Sequence, residues 1–126
     1  MFKAYDIRGI AGEELNAQFA GRLGKSIVAH LDAGCIAVAR DIRESGPELQ
    51  DSFSRGIIES GCDVMDLGVT TTGVLYRASK DLDVDVSVMI TASHNPPEYN
   101  GFKICKGTLP MAGEELQELR ETMERG

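Results

Sequence analysis

Three features of this 126-residue chain predict an α/β fold. Segments with apolar residues at helical spacing alternate with short apolar runs, glycines separate them, and only the last run follows its predecessor without a helix between. Alternating strands and helices build a mainly parallel sheet covered on its faces, and one helix-free connection makes that sheet mixed. The predicted architecture is a three-layer α/β/α domain with a mostly parallel, mixed four-stranded sheet.

The elements follow in order. Leu15, Phe19, Leu23, Ile27 and Leu31 recur every four residues, which predicts an amphipathic helix over 13–31, stopped by Gly34. Cys35 to Ala39 forms a short apolar strand that runs into the charged stretch Arg40-Asp41-Ile42-Arg43. Ser45 stands as an N-cap and Pro47 fits the first turn, opening a second helix through Leu49, Phe53, Ile57 and Ile58 to Gly61. Cys62–Leu67 reads as the second strand, and 73–80 as a shorter helix carrying Val74, Leu75 and Ala78. Val84, Val86 and Val88 alternate with Asp85 and Ser87 into Met89-Ile90, the third strand. Residues 91–101 read as loop, from Asn95-Pro96-Pro97 to Asn100-Gly101. Phe102–Cys105 then makes a fourth strand, and Leu116, Leu119 and Met123 mark a last helix with Glu114 and Glu115 in its first turn.

Composition excludes several function classes. There is no run of roughly 18 apolar residues for a membrane helix. Met1–Asp6 lacks the apolar centre of a secretory signal. Thirteen basic against twenty acidic residues, net −7, disfavour a nucleic-acid or anionic-membrane surface. Cys35, Cys62 and Cys105 are odd in number and far apart, so no fully paired disulfide framework and no Cys-x-x-Cys knuckle exists; reduced thiols in the cytoplasm are expected.

Two motifs are decoys. Gly24-Lys25-Ser26 ends like a phosphate-binding loop, but Phe19 stands where the first glycine is required, and the trio lies inside a helix. Asp81-Leu82-Asp83-Val84-Asp85 begins like a calcium loop, but its sixth and twelfth positions are Val86 and Ala92 instead of glycine and glutamate. These aspartates also precede an apolar strand, whereas a phosphatase nucleophile should follow one.

Thr91-Ala92-Ser93-His94-Asn95-Pro96 differs in kind. It places a hydroxyl nucleophile directly after an apolar strand, at the end of a sheet where ligands gather. Pro96 and Pro97 stiffen the loop, which suits a group held for transfer. A turn in which Ser93 and Asn95 only satisfy backbone groups is the competing expectation. Arg8, Arg40, Arg43, Lys103 and Lys106 lie in or beside non-helical segments, while the last helix concentrates five glutamates against two arginines. A positive focus in an acidic chain suits a small dianion such as a phosphate ester. Pairing of these cations with Asp6, Asp41 and Glu44 is the bland alternative.

At Thr91–Pro96, with Tyr99-Asn100-Gly101-Phe102-Lys103 behind it, the chain resembles the α-D-phosphohexomutases, in particular the phosphomannomutase/phosphoglucomutase group. Tyr5-Asp6-Ile7-Arg8-Gly9 is similar to the N-terminal signature of that family. Ala39-Arg40-Asp41-Ile42-Arg43 resembles its Gly-Arg-Asp-x-Arg segment, with alanine in place of the first glycine. The resemblance implies a four-domain enzyme of which residues 1–126 are the first, phosphoserine-bearing domain, with the chain stopping at Met123–Gly126 where an interdomain linker is expected.

The resemblance also implies roles. Ser93 is the phosphorylated serine, and its phosphate gives Mg²⁺ one ligand while the others come from a second domain. Arg8 and Lys103 contact the phosphoserine region, Lys103 or His94 assists proton movement, and Tyr5 and Asn95 line the substrate cleft; Arg43 is assigned only weakly. Hexose phosphates are the implied substrates, with a hexose bisphosphate as intermediate and activator and the remaining domains as partners. The lone domain is expected to be inactive. The alternatives are a phosphoglucosamine mutase domain and a free-standing, non-catalytic domain that binds a sugar phosphate or a partner chain.

Overall fold

A computed structural model describes residues 1–3, 6–84, 86–107 and 109–125. The elements run β1 (Ile7–Ile10), α1 (Ala17–Leu31), β2 (Cys35–Arg40), α2 (Gly46–Glu59), β3 (Asp63–Val69), α3 (Thr72–Asp81), β4 (Val86–Ile90), β5 (Tyr99–Lys106), β6 (Leu109–Pro110) and α4 (Glu114–Arg125). The sheet has six strands, not four, in the order β1-β5-β4-β2-β3, with β6 on β5. The three central pairings bear out the mixed topology: β2 is parallel to β3 and β4, and β4 is antiparallel to β5. The added strands are short. β1 holds only four residues against β5, and β6 only two, too few for periodicity to register.

Several boundaries move for local reasons. Helix α1 starts at Ala17 and not at 13, because Gly12 (φ +87°) donates its N–H to the Leu15 carbonyl in a turn, and Asn16 Oδ1 caps the helix by accepting from Phe19 N at 2.8 Å. It ends on Asp32 in the left-handed region (φ +50°, ψ +44°), before Gly34 is reached. Ser45 precedes α2 in helical geometry and makes no capping bond; its Oγ instead accepts from Asn100 Nδ2 at 2.8 Å. Strand β5 begins at Tyr99, so Asn100-Gly101, read as loop, is buried strand. Asp85 lies outside the described residues.

The two faces of the sheet are unequal. On one, Ile36, Val38, Val88, Ile90, Phe102 and Ile104 meet α1, α2 and α4 through Leu23, Ile27, Phe53, Ile57, Leu116 and Leu119. Phe53 and Phe102 pack with ring centroids 5.0 Å apart. On the other face, Ala37, Ala39 and Met89 meet α3 through Leu75, with Met65, Leu67 and Val84 half-buried around them. The layers are therefore α/β/α, with one thick and one thin side.

Gly24 belongs to this packing. A Cβ there would stand 2.5 Å from the Phe53 carbonyl oxygen, and one on Gly56 would stand 2.2 Å from that of Gly21. The apparent phosphate-loop trio is the point where α1 and α2 bring their backbones together. Cys62 and Cys105 are buried and Cys35 is half-buried, all with free thiols. Burial first, then Cys35 and Asp63 nearby, push the Cys62 thiol above its ordinary range.

Candidate active site

Strands β2, β3 and β4 deliver their carboxyl ends, Arg40, Val69 and Ile90, to one edge of the molecule. Strand β1 points the same way, being antiparallel to β5. The segment 91–98 leaves β4 at this edge, and its start is fixed by backbone bonds: Asp41 N donates to the Ile90 carbonyl (3.1 Å) and Thr91 N to the Gly101 carbonyl (2.9 Å). Gly101 permits the approach. A Cβ there would lie 2.4 Å from the Ile7 carbonyl oxygen and 2.9 Å from that of Thr91.

Ser93 sits exposed at the tip, in the left-handed region at φ +52°. Few non-glycine residues adopt that conformation, and at functional sites such strain is held by surrounding bonds. Here the bonds are explicit. Ser93 N donates to Thr91 Oγ1 (3.0 Å), and that hydroxyl donates to Asp41 Oδ2 (2.6 Å). Asn95 donates from both N and Nδ2 to the Ala92 carbonyl, at 3.0 and 2.7 Å. Buried Ala92 and Thr91 anchor the base, leaving the Ser93 and His94 side chains to solvent.

Arg43 crosses from the β2–α2 turn and donates to four carbonyls of the serine loop: Ser93 (2.8 Å), Asn95 (2.9 Å), Pro96 (2.8 Å) and Tyr99 (2.9 Å). Its Nε faces Asp41 Oδ2 at 3.4 Å, and Asp41 Oδ1 accepts from Arg43 N. Behind it Arg40 is held by Gln50, which donates to Asp66, itself an acceptor for Gly68 N. An open cleft of about 580 Å³ runs between the two loops, lined by Asp41, Ile42, Arg43, Glu44, Ser93, Asn95 and Pro97. A larger hollow of about 660 Å³, between Phe2-Lys3 and α4, shares none of these residues.

Of the residues singled out in the sequence, Ser93 and Asn95 share the cleft. Arg8 is opposite Gly101 on β1, level with Thr91, and its Nε pairs with Asp6 at 3.1 Å. Lys103 is opposite Met89, two residues further along β5 on the face that α3 covers, and enters no ion pair among the described residues. Neither lines the cleft between the loops. Tyr5 lies outside the described residues. The bland expectation of carboxylate partners thus holds for Arg8 and Arg43, while Lys106 pairs with Glu115. No three His, Cys, Asp or Glu side chains among the described residues come together as a metal cage, and both Asp41 oxygens are engaged by Arg43 and Thr91. This arrangement can hold a nucleophilic hydroxyl still at the end of a sheet, beside a polar cleft. It does not by itself fit a magnesium site.

A serine fixed in this way, after the central strand of a mixed α/β/α sheet, defines a class of domain that presents one exposed hydroxyl at the carboxyl edge of its sheet. The whole chain, residues 1–126, matches the family described as phosphoglucomutase/phosphomannomutase, alpha/beta/alpha domain I. The chain belongs to that family. It is similar to the phosphomannomutase/phosphoglucomutase of Pseudomonas aeruginosa, 46% identical over 128 residues, covering 99% of this chain and 28% of that protein. A Klebsiella pneumoniae phosphomannomutase is 41% identical over 125 residues, covering 95% of this chain and 80% of that protein. The crystal structure of a Burkholderia thailandensis phosphoglucomutase/phosphomannomutase family protein superposes with a TM-score of 0.89 at 38% identity, over 98% of this chain and 30% of that one. The chain thus spans under a third of the length of the Pseudomonas and Burkholderia proteins.

Proposed function

We propose that the chain is the phosphoserine-bearing first domain of a phosphohexomutase acting on mannose and glucose phosphates, with Ser93 as the carrier. The observation that supports this most is the exposed hydroxyl of Ser93, held in left-handed geometry by a closed set of hydrogen bonds. Phospho-Ser93 gives its phosphoryl group to the free hydroxyl of a hexose 1-phosphate. The Ser93 Oγ–P bond breaks, the sugar O–P bond forms, and the hydroxyl proton leaves to a nearby base, Lys103 or His94. The bisphosphorylated sugar turns over and returns its other phosphoryl group to Ser93 Oγ, leaving hexose 6-phosphate. Transfer of this kind is mainly positioning and electrostatics, so a stiff loop is the equipment it needs. Arg8 on β1 and Lys103 on β5 supply positive charge on the neighbouring sheet face, and Tyr5 and Asn95 complete the proposed substrate contacts. Magnesium, when bound, would offset charge on the phosphoryl group; this chain's share is one phosphate oxygen, with the other ligands from further domains.

The chain alone is expected not to turn over hexose phosphates. The test joins it to the remaining length of the Pseudomonas aeruginosa relative, in place of the matching 128-residue segment. With Mg²⁺ and a hexose bisphosphate the chimaera should interconvert glucose 1- and 6-phosphate and carry one phosphoryl group on Ser93 by mass spectrometry. The Ser93→Ala chimaera should lose both. Turnover by Ser93→Ala equal to the parent would sink the reading, and faster turnover of glucosamine 1-phosphate would move it to the glucosamine group.

A further inference from the structure

We infer that Arg43 is a positioning residue, a clasp that sets the backbone of the serine loop and thereby the direction of Ser93 Oγ, and not a binder of the substrate phosphate. The inference rests on the reading of Ser93 as phosphoryl carrier, since only then does its direction matter to a reaction.

A guanidinium has five N–H donors and no more. In this fold every one is spent. Nη1 serves the Pro96 and Tyr99 carbonyls, Nη2 those of Ser93 and Asn95, and Nε faces Asp41. An arginine that bound a phosphate oxygen would have to give up a loop carbonyl to do so. The side chain is only 12% exposed, although it lies beside the cleft.

The acceptors explain why the loop needs such a donor. The Asn95 and Pro96 carbonyls belong to peptide bonds whose nitrogens are those of Pro96 and Pro97, which carry no hydrogen. Two neighbouring peptide units therefore offer acceptors and no donors; Tyr99 N reaches the Pro96 carbonyl at 3.0 Å, but among the described residues only Arg43 donates to that of Asn95. One planar fork gathers these carbonyls together with those on either side of them. The same carboxylate that faces Nε accepts the Thr91 hydroxyl, and that hydroxyl accepts Ser93 N. Asp41, Arg43 and Thr91 thus hold the Ser93 peptide from both of its ends, carbonyl and amide, at φ +52°. Lysine cannot reproduce this arrangement, because its ammonium has three donors on a flexible stem and no fork.

The test uses the whole 126-residue chain, labelled for NMR. In the native chain the four Nη protons of Arg43 should appear as separate, slowly exchanging signals, as rotation about the guanidinium bonds would break loop contacts. In Arg43→Lys, which keeps the charge, the Ser93 carbon shifts should leave their left-handed values. Its amide exchange should rise about tenfold or more, while the Ile90 and Phe102 amides stay within about twofold. A uniform rise across the sheet would mark a general structural role and overturn the proposal, as would unchanged Ser93 shifts. Should Arg43→Lys fail to fold, the native spectrum decides: one averaged Nη signal refutes the clasp. Ser93→Ala turnover in the chimaera is independent of all these outcomes, so loss of the carrier reading and loss of the clasp are told apart.

Discussion

The two faces of the sheet divide the labour of this domain. Among the described residues, the face under α1, α2 and α4 holds one hydrophobic cluster of twenty buried residues, whereas the cluster under α3 holds four. Buried apolar area is what stabilises a fold, so the thick face carries most of the stability. The thin face leaves room at the sheet surface, and there Arg8 and Lys103 stand, opposite Gly101 and Met89. The packed core and the candidate site meet at the carboxyl edge, where Gly101 lets β1, β5 and the serine loop crowd together. A domain can leave one sheet face charged and open when the opposite face is packed well enough to hold the sheet alone.

This asymmetry can be broken experimentally, starting with the largest effect. Phe53→Ala, at the centre of the thick face and stacked on Phe102, should cost about 4 kcal/mol in urea unfolding. Gly101→Ala should cost about 3 kcal/mol, because its Cβ meets two backbone oxygens that no rotamer change relieves. Leu75→Ala is equally buried but belongs to the small cluster, where the surroundings collapse more easily; about 2 kcal/mol is expected. If Leu75→Ala matched Phe53→Ala, the faces would be equal partners and the comparison would fail.

Lys103→Ala should change stability by no more than about 0.5 kcal/mol, the range of a surface site without special contacts. In the chimaera it should lower kcat/KM by about 10²–10³, the scale of losing one preorganised donor. A threefold change or less would return Lys103 to the role of a solvated strand residue.

The smallest effect is a pH effect on the thin face. The Tyr76 hydroxyl on α3 and the Cys105 sulfur share a hydrogen bond at 3.1 Å, and the phenol is pushed up to about 12, chiefly by burial and then by Cys105, to whose sulfur the phenol proton is held as the thiol ionises. A raised acid pKa means that folding favours the protonated phenol. Its contribution is complete below the ordinary value of 10 and is lost as pH rises through about 12. Thermal melts between pH 9 and about 12 should therefore show wild type losing an advantage over Tyr76→Phe; parallel curves would remove Tyr76 from the account.

Helical periodicity made α1 and α2 legible, and the apolar runs made β2, β3 and β4 legible, because both signals lie within one segment of chain. Ser93 was legible for a similar reason, as a hydroxyl placed after an apolar strand and followed by two prolines. The short strands β1 and β6 were not, since four and two residues give no period and owe their conformation to β5. Asn100-Gly101 carried a turn signal that its surroundings overrode: Gly101 sits between β1 and the serine loop, where a Cβ would meet the Ile7 and Thr91 carbonyl oxygens. Ser45 had the chemistry of a cap and was taken by Asn100, 55 positions away.

Arg43 marks the limit most clearly. The sequence placed it in a charged turn near the carboxyl end of a strand, as one cation among several. No local rule joins position 43 to the carbonyls of 93, 95, 96 and 99. Backbone carbonyls exist at every residue, so the sequence does not encode which of them converge. Element type, the decoy status of Gly24-Lys25-Ser26 and the candidacy of Ser93 were determined by the sequence itself, through spacing and residue chemistry. The sheet order, the unequal faces and the five-donor clasp were decided by tertiary structure, because each depends on which distant segments the parallel crossovers bring to the same edge.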